Sequence, residues 1–285
     1  MFERASAHLW PVTLLAPPRC RRYVPPPMAD RPLILLSNDD GHSSAGIRAM
    51  HAALKAAGAE VVVVAPETEQ SASSHALSLH RPLRLRKIEA DVFALDGTPA
   101  DCVYVALHAT TRLLARRPDM VVSGINHGMN LGQDAFYSGT VAAAREGAFR
   151  GIPAVATSAH FSVDLGAAAS LSARIAFALP RTTRHPAPLL NVNIPAGWKG
   201  AVRATRLGLR IYDEVVDFRR DPRGREYLWL GGPGVRHERD PGTDTDAYDD
   251  GVASITPLVL DLTSTADERL AISVVEQLGA TPASN

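Results

Sequence analysis

The sequence predicts a doubly wound α/β fold, a mostly parallel sheet with helices on both faces, followed by a β-rich C-terminal arm and a terminal helix. Three observations predict it. Residues 33–36 and 61–64 are unbroken four-residue apolar runs, the signature of strands buried on both faces. Between runs of this kind, apolar residues recur at helical spacing, so strands and helices alternate. After about Pro195 the alternation stops, and β-like runs separated by Gly, Pro and Asp replace it.

Each element has its own local reason. The helix after the first strand is marked by Ile47, Met50, Leu54 and Ala57, and Gly58 stops it, so residues 33–64 make one βαβ unit. The next helix opens with Thr98 as N-cap, Pro99 in the first turn and Asp101 three residues after the cap, and runs towards Leu114. Residues 120–122 are the following strand. A glycine-rich stretch reaching Gly139 leads into a helix over about 140–150, which Gly151 and Pro153 close; residues 155–157 are the strand after it. Residues 171–179 are helical and residues 190–194 strand-like. In the arm, residues 212–218, 227–230 and 254–262 are β-like, and a last helix spans 266 to about 278, with Thr265 as cap and Glu268 as capping-box partner.

The chain divides accordingly into residues 1–30, 31–199 and 200–285. The first segment holds Arg19, Arg21, Arg22, three consecutive prolines from Pro25 to Pro27, and Met28. Glu3, Pro11, Pro17 and Pro18 break the basic start and apolar core that a signal peptide needs. We read it as a disordered extension or as the product of a start codon upstream of Met28, with a targeting peptide as the alternative.

Composition excludes several classes. With 285 residues, 46% hydrophobic and 21% charged, the chain is neither collagenous nor a coiled coil. Thirty Lys and Arg balance thirty Asp and Glu, which removes the broad basic surface of a general nucleic-acid binder. No apolar run approaches the roughly 18 residues of a membrane span, so no membrane partner is expected. Two cysteines, Cys20 and Cys102, fit a reducing, cytoplasmic setting better than a disulfide framework.

In an open parallel sheet, ligands bind beyond the carboxyl ends of the strands, and three segments stand there. Ser37-Asn38-Asp39-Asp40-Gly41 ends the first strand. By itself it is a polar turn or a cation site: Asn, Asp and Gly are common turn formers, but two adjacent carboxylates repel unless a cation lies between them. Hard oxygen ligands favour Mg²⁺ or Mn²⁺. The second segment, from Ser123 to Gly132, spaces its glycines so that backbone N–H groups can approach a ligand. In the third, Tyr137-Ser138-Gly139-Thr140-Val141, small hydroxyl residues open a helix, as in an ordinary cap or a phosphate site.

Together, these segments resemble the SurE family of survival-protein nucleotidases. So do Gln70-Ser71-Ala72-Ser73, Asn191-Val192-Asn193-Ile194-Pro195, Thr243-Asp244-Thr245-Asp246 and Ser254-Ile255-Thr256-Pro257-Leu258, in the expected order from about residue 32 to 262. The resemblance implies a Rossmann-like catalytic core over 31–199 and a divalent-metal-dependent phosphomonoesterase acting on nucleoside monophosphates, with 3′-nucleotides and short polyphosphate as further candidate substrates. It also implies an arm that is exchanged between subunits of a homodimer or homotetramer. Carried over by motif, Asp39, Asp40, Ser71 and Asn126 match the family's metal ligands, Asp39 and Asp40 being also the catalytic pair. Asn130, Ser138, Gly139 and Thr140 match its phosphate-side loop. His42-Ser43-Ser44-Ala45-Gly46 departs from the family pattern, which has a bulkier residue after Gly41 and a proline before Gly46; Ser73-Ser74-His75 is also variable.

Asp39, Asp40 and His127 are the candidates for the group that takes a proton from water. Walker, zincin and nucleophile-elbow motifs are absent from the sequence. The alternative from another class is a non-catalytic, receiver-like module that senses metal or nucleotide, but a receiver should present a lysine after its last core strand; Lys55, Lys87 and Lys199 do not stand there. The acidic cluster Asp244, Asp246, Asp249 and Asp250 is read as a solvated turn or subunit contact, with calcium as the alternative.

Overall fold

The structure, a computed structural model, describes residues 31–109, 112–180, 186–213, 215–231 and 234–278. The expectation for residues 1–30 lies outside them. The core is a nine-stranded sheet built from β1 (Leu33–Ser37), β2 (Glu60–Pro66), β3 (Leu85–Lys87), β4 (Val92–Leu95), β5 (Met120–His127), β6 (Ala154–Ala159), β7 (Leu189–Ile194), β8 (Val202–Ala204) and β13 (Ala253–Leu258). Its order is β3-β4-β2-β1-β5-β6-β7-β13-β8, parallel from β4 to β7.

Alternating side chains of one strand serve two different cores. Ile34 and Leu36 pack in one cluster with Ile47, Met50 and Leu54 of α1 (Ala45–Ala56) and with Ala168, Leu171 and Ile175 of α5 (Leu165–Ala178). Leu33 and Leu35 pack in the other, with Cys102 and Val103 of α2 (Pro99–His108) and Val141, Ala144 and Ala148 of α4 (Gly139–Phe149). Burial on both faces explains why the strands read as unbroken apolar runs. Small residues let α4 lie close to the sheet: a Cβ on Gly147 would sit 2.4 Å from Val121.

Thr98 and Asp101 form the expected reciprocal capping box. Several boundaries differ from the sequence reading. Helix α2 ends at His108 rather than near Leu114, and α5 starts six residues earlier than residue 171, capped by Asp164, whose carboxylate accepts from Ala167 N at 2.8 Å. Strand β5 continues through Ser123 and Asn126 to His127, a stretch read as loop, with a bulge between Ser123 and Asn126. A short α3 (Asp134–Tyr137) precedes α4. Strands β3 and β4 escaped the sequence reading, although residues 92–95 are a four-residue apolar run between Asp91 and Asp96.

Beyond residue 200, pairing is shared between core and arm. Strands β8 and β13 lie in the central sheet, β13 antiparallel to β7, although the sequence pattern groups them with the arm. The arm itself is two antiparallel pairs, β9 (Arg210–Tyr212) with β12 (Val235–His237), and β10 (Val215–Arg220) with β11 (Glu226–Gly231). The predicted 212–218 run is therefore two strands. Phe218, Trp229 and Leu230 of the outer pair are exposed. The acidic cluster forms neither a solvated turn nor a calcium loop. It builds α6 (Asp244–Asp249), where Asp244 is fully buried and accepts from Gly132 N (2.9 Å) and Gly208 N (2.7 Å), while Asp246 and Asp250 pair with Arg203 and Arg239. A 3₁₀ turn (Thr265–Asp267) and α7 (Glu268–Gln277) end the described chain. The Thr265 capping box does not form there; Ser264 Oγ bonds Asp267 Oδ2 at 2.5 Å instead. No helix among the described residues is long and apolar enough to cross a membrane.

Candidate active site

The chain winds away from β1 in both directions, through β2 on one side and β5 on the other, so the gap beyond the β1 and β5 termini is the topological switch point of the sheet. Register fixes what meets there. Ser37 of β1 pairs with Ser123 of β5, so the loop carrying Asp39 and Asp40 emerges beside the strand end carrying Asn126. Gly46 makes the approach possible: a Cβ there would lie 2.0 Å from the Ile125 carbonyl oxygen. Ser44 caps α1, with its hydroxyl accepting from Ile47 N at 3.4 Å and from Asn38 Nδ2 at 2.9 Å, so the departure at residues 42–46 still gives an anchored turn.

A cavity of about 470 Å³ collects the predicted residues Asp39, Asp40, Ser71, Asn126, Asn130 and Ser138 from four separate segments. Glu69, His127, Met129, Asp134, Tyr137 and Tyr212 also line it. Asp39 is buried, and Thr140 holds it: the hydroxyl donates to Asp39 Oδ1. Gly139 leaves room for this contact, since its Cβ would fall 2.8 Å from Asp39 Cβ. Thr140 was expected on the phosphate. In the structure its hydroxyl donates to Asp39 Oδ1 and so orients that carboxylate. Asp40 accepts from His127 N at 3.3 Å, and Gln70 N donates to the Asp39 carbonyl at 2.8 Å, drawing the Ser71 loop alongside.

Asn130 is clamped from below. Its N–H donates to Asn193 Oδ1 (2.8 Å), its carbonyl accepts from Asn191 Nδ2 (2.8 Å) and Asn193 Nδ2 (3.1 Å), and its own amide donates to Ser158 Oγ (2.7 Å). One side-chain N–H of Asn130 remains for a ligand. Ser138 accepts from Val141 N at 3.0 Å as the cap of α4, and keeps its own hydroxyl hydrogen to donate.

The donor chemistry fits a hard divalent cation. Asp39, Asp40 and Glu69 line the cavity, and no Lys or Arg is among its lining residues. Burial pushes the Asp39 carboxyl from 3.8 up to about 6; the hydrogen bonds from Thr140 oppose the rise and the charge of Asp40 adds to it. Asp40 is also raised, by burial first and by the charge of Glu69. Two ionised carboxylates held this way lack a counter-charge, and a cation would supply it. Asn126 Nδ2 donates to Gly128 O (3.0 Å), leaving its Oδ1 as the free end of the amide; Ser71 Oγ donates to Glu69 Oε1 (2.7 Å), leaving its lone pairs. The set mixes two carboxylates with a hydroxyl and an amide. Among the described residues, no group of three or more His, Cys, Asp or Glu is placed to hold a metal.

Glu69, Asp134 and Tyr212 are the lining residues that sequence reasoning missed. Glu69 could have been found, standing two positions before Ser71; nothing local connects Tyr212, in the arm, to the loop after β5.

The model of the family described as survival protein SurE matches residues 34–214. The chain is 61% identical over 256 residues to a protein of Sorangium cellulosum (strain So ce56) named 5′-nucleotidase SurE, an overlap covering 88% of this chain and 99% of that protein. It is 48% identical to a protein of the same name from Methylococcus capsulatus, over 87% of this chain and 96% of that one. The crystal structure of the Sure protein from Aquifex aeolicus superposes with a TM-score of 0.73 at 39% identity, covering 86% of this chain and all of that one.

Proposed function

Since the chain belongs to the survival protein SurE family, we propose that it is a metal-dependent 5′-nucleotidase whose reaction takes place in the cavity at the β1 and β5 termini. The enzyme hydrolyses nucleoside monophosphates to nucleoside and phosphate. One observation carries the site assignment: four distant segments converge so that Asp39, Asp40, Ser71 and Asn126 share one cavity with Asn130 and Ser138. The receiver-like reading is not favoured, because no lysine lines this cavity.

Asp39, Asp40, Ser71 and Asn126 would hold the cation, Mg²⁺ or Mn²⁺. When bound, a divalent ion of this kind neutralises phosphoryl charge and makes water a better nucleophile. Phosphate monoesters are among the slowest biological bonds to hydrolyse, so charge stabilisation must supply most of the rate. Thr140 keeps Asp39 in one orientation, and the His127 N–H does the same for Asp40. Asn130 and Ser138 each offer one hydrogen to the phosphoryl oxygens, and the Gly139 N–H at the start of α4 adds another. Asp39, Asp40 and His127 remain the candidate proton acceptors. A buried free Cys102 supports a reducing, cytoplasmic setting, and the exposed apolar residues of β10 and β11 support assembly into a homodimer or homotetramer through the arm.

The test is phosphate release from a panel of nucleoside monophosphates and short polyphosphate, with Mg²⁺, with Mn²⁺ and with EDTA. Release from nucleotides that EDTA abolishes is expected. No release from any nucleotide with either metal would overturn the reading.

A further inference from the structure

The cavity is larger than a phosphate needs, and its remaining wall is formed by Met129, Asp134, Tyr137 and Tyr212. Tyr212 belongs to β9, at the root of the arm. We infer that its ring is the platform on which the substrate's nucleobase stacks, so that the arm completes the substrate site. This rests on the nucleotidase reading above and extends it from the phosphate to the base.

Three observations support it. Tyr212 is 41% exposed although its phenol is fixed, Tyr212 Oη donating to Asp134 Oδ2 at 2.6 Å. The Arg210 guanidinium lies over the ring, 5.4 Å from its centroid, and is itself paired with Asp134. One face of the ring is therefore taken, and Tyr212 lines the cavity. The backbone beneath is fixed as well: Arg210 N donates to Gln133 Oε1 at 2.8 Å, and Gln133 Nε2 donates to Arg210 O, so β9 is bolted to the loop that carries Asn130. An aromatic ring held at its edge and on one face has little freedom to lose when a base covers the other. Tyr137 is 65% exposed, and no hydrogen bond or ring contact restrains its side chain among the described residues, which makes it the weaker platform.

The experiment compares a purine nucleoside monophosphate with ribose 5-phosphate, which keeps the phosphate ester and sugar but has no base, using the full-length enzyme. In Tyr212→Ala, the ratio of kcat/KM for nucleotide over ribose 5-phosphate should fall about tenfold, mostly through the nucleotide's KM, as expected for losing one base–aromatic stack. Tyr212→Trp should keep the ratio within about twofold of the wild type. Should Tyr212→Ala fail to fold, Tyr212→Leu keeps the bulk without the π face and carries the same expectation. An unchanged ratio in the Ala or Leu variant, or a Trp variant that loses it, overturns the inference. If the wild-type enzyme releases no phosphate from nucleotides, the nucleotidase reading itself fails, which is a different outcome from an active enzyme whose ratio ignores Tyr212.

Discussion

Asp39 carries a conflict between stability and activity. A buried carboxyl raised from 3.8 to about 6 opposes folding in its ionised form by about 3 kcal/mol at pH 7, taking about 1.4 kcal/mol per tenfold. Asp39→Asn should therefore abolish most phosphate release, while its metal-free form melts several degrees above the metal-free wild type. Asp40→Asn should lose activity as well. Calorimetry in EDTA beside an activity assay checks both, and full activity in either variant at limiting metal would sink the ligand assignment. Thr140→Val removes one charge-assisted hydrogen bond to Asp39, of a kind worth about 1.5–3 kcal/mol, so activity should fall roughly 10- to 100-fold, with Thr140→Ser near wild type. A Mg²⁺ titration of both variants measures this. Asp39 and Asp40 were legible in the sequence because adjacent carboxylates after an apolar strand are costly without a ligand. The commitment of Thr140 was not, because a hydroxyl at a helix start is equally a cap, a phosphate donor or, as here, a carboxylate's partner 101 residues away.

Helix α4 is tied to the Ser71 loop by one buried acid. Glu146 Oε2 lies 2.9 Å from His75 Nε2, and Glu146 Oε1 lies 2.8 Å from Arg150 Nε. Burial raises the Glu146 carboxyl, but the hydrogen bonds from His75 and Arg150 outweigh it and hold the group below its ordinary 4.5. A depressed carboxyl adds stability above its unfolded value, and that stability is lost as pH falls through the lower folded value. Glu146→Gln should accordingly flatten the drop in urea midpoint between pH 6 and pH 3. A slope equal to the wild type's would show that the tie is not energetic. Elements with strong local signals were readable, including β1, β2 and the Thr98 box. Strand β5 was truncated in the reading because Gly124 and the bulge interrupt its apolar run, yet pairing with β6 carries it on to His127. The true start of α5 lay in Asp164, a cap visible in the sequence but overlooked.

For the whole molecule, the arm has two separable parts. Strand β9, paired with β12, reaches the cavity through Tyr212, whereas β10 and β11 expose Phe218, Trp229 and Leu230. Asp213 N bonds Gly234 O at 3.2 Å, so the chain is already closed below the outer pair. Replacing residues 214–233 by an Asn-Gly turn should leave the root intact and convert a dimer or tetramer into monomer. Light scattering at micromolar concentration reads this, and an intact protein that is already monomeric would refute it. Long-range pairing was the least legible part of the sequence: nothing near residues 253–258 announces that they join β7, some sixty positions earlier.

Asp244 bonds two of these regions at once. Its two oxygens grip Gly132, in the loop that presents Asn130, and Gly208, where the arm departs. A ligand that displaced the loop would act on the same carboxylate that anchors the start of the arm, and so would a neighbour that seized the arm. Linkage makes the exchange reciprocal: to whatever extent self-association sharpens substrate affinity, substrate drives self-association by the same factor.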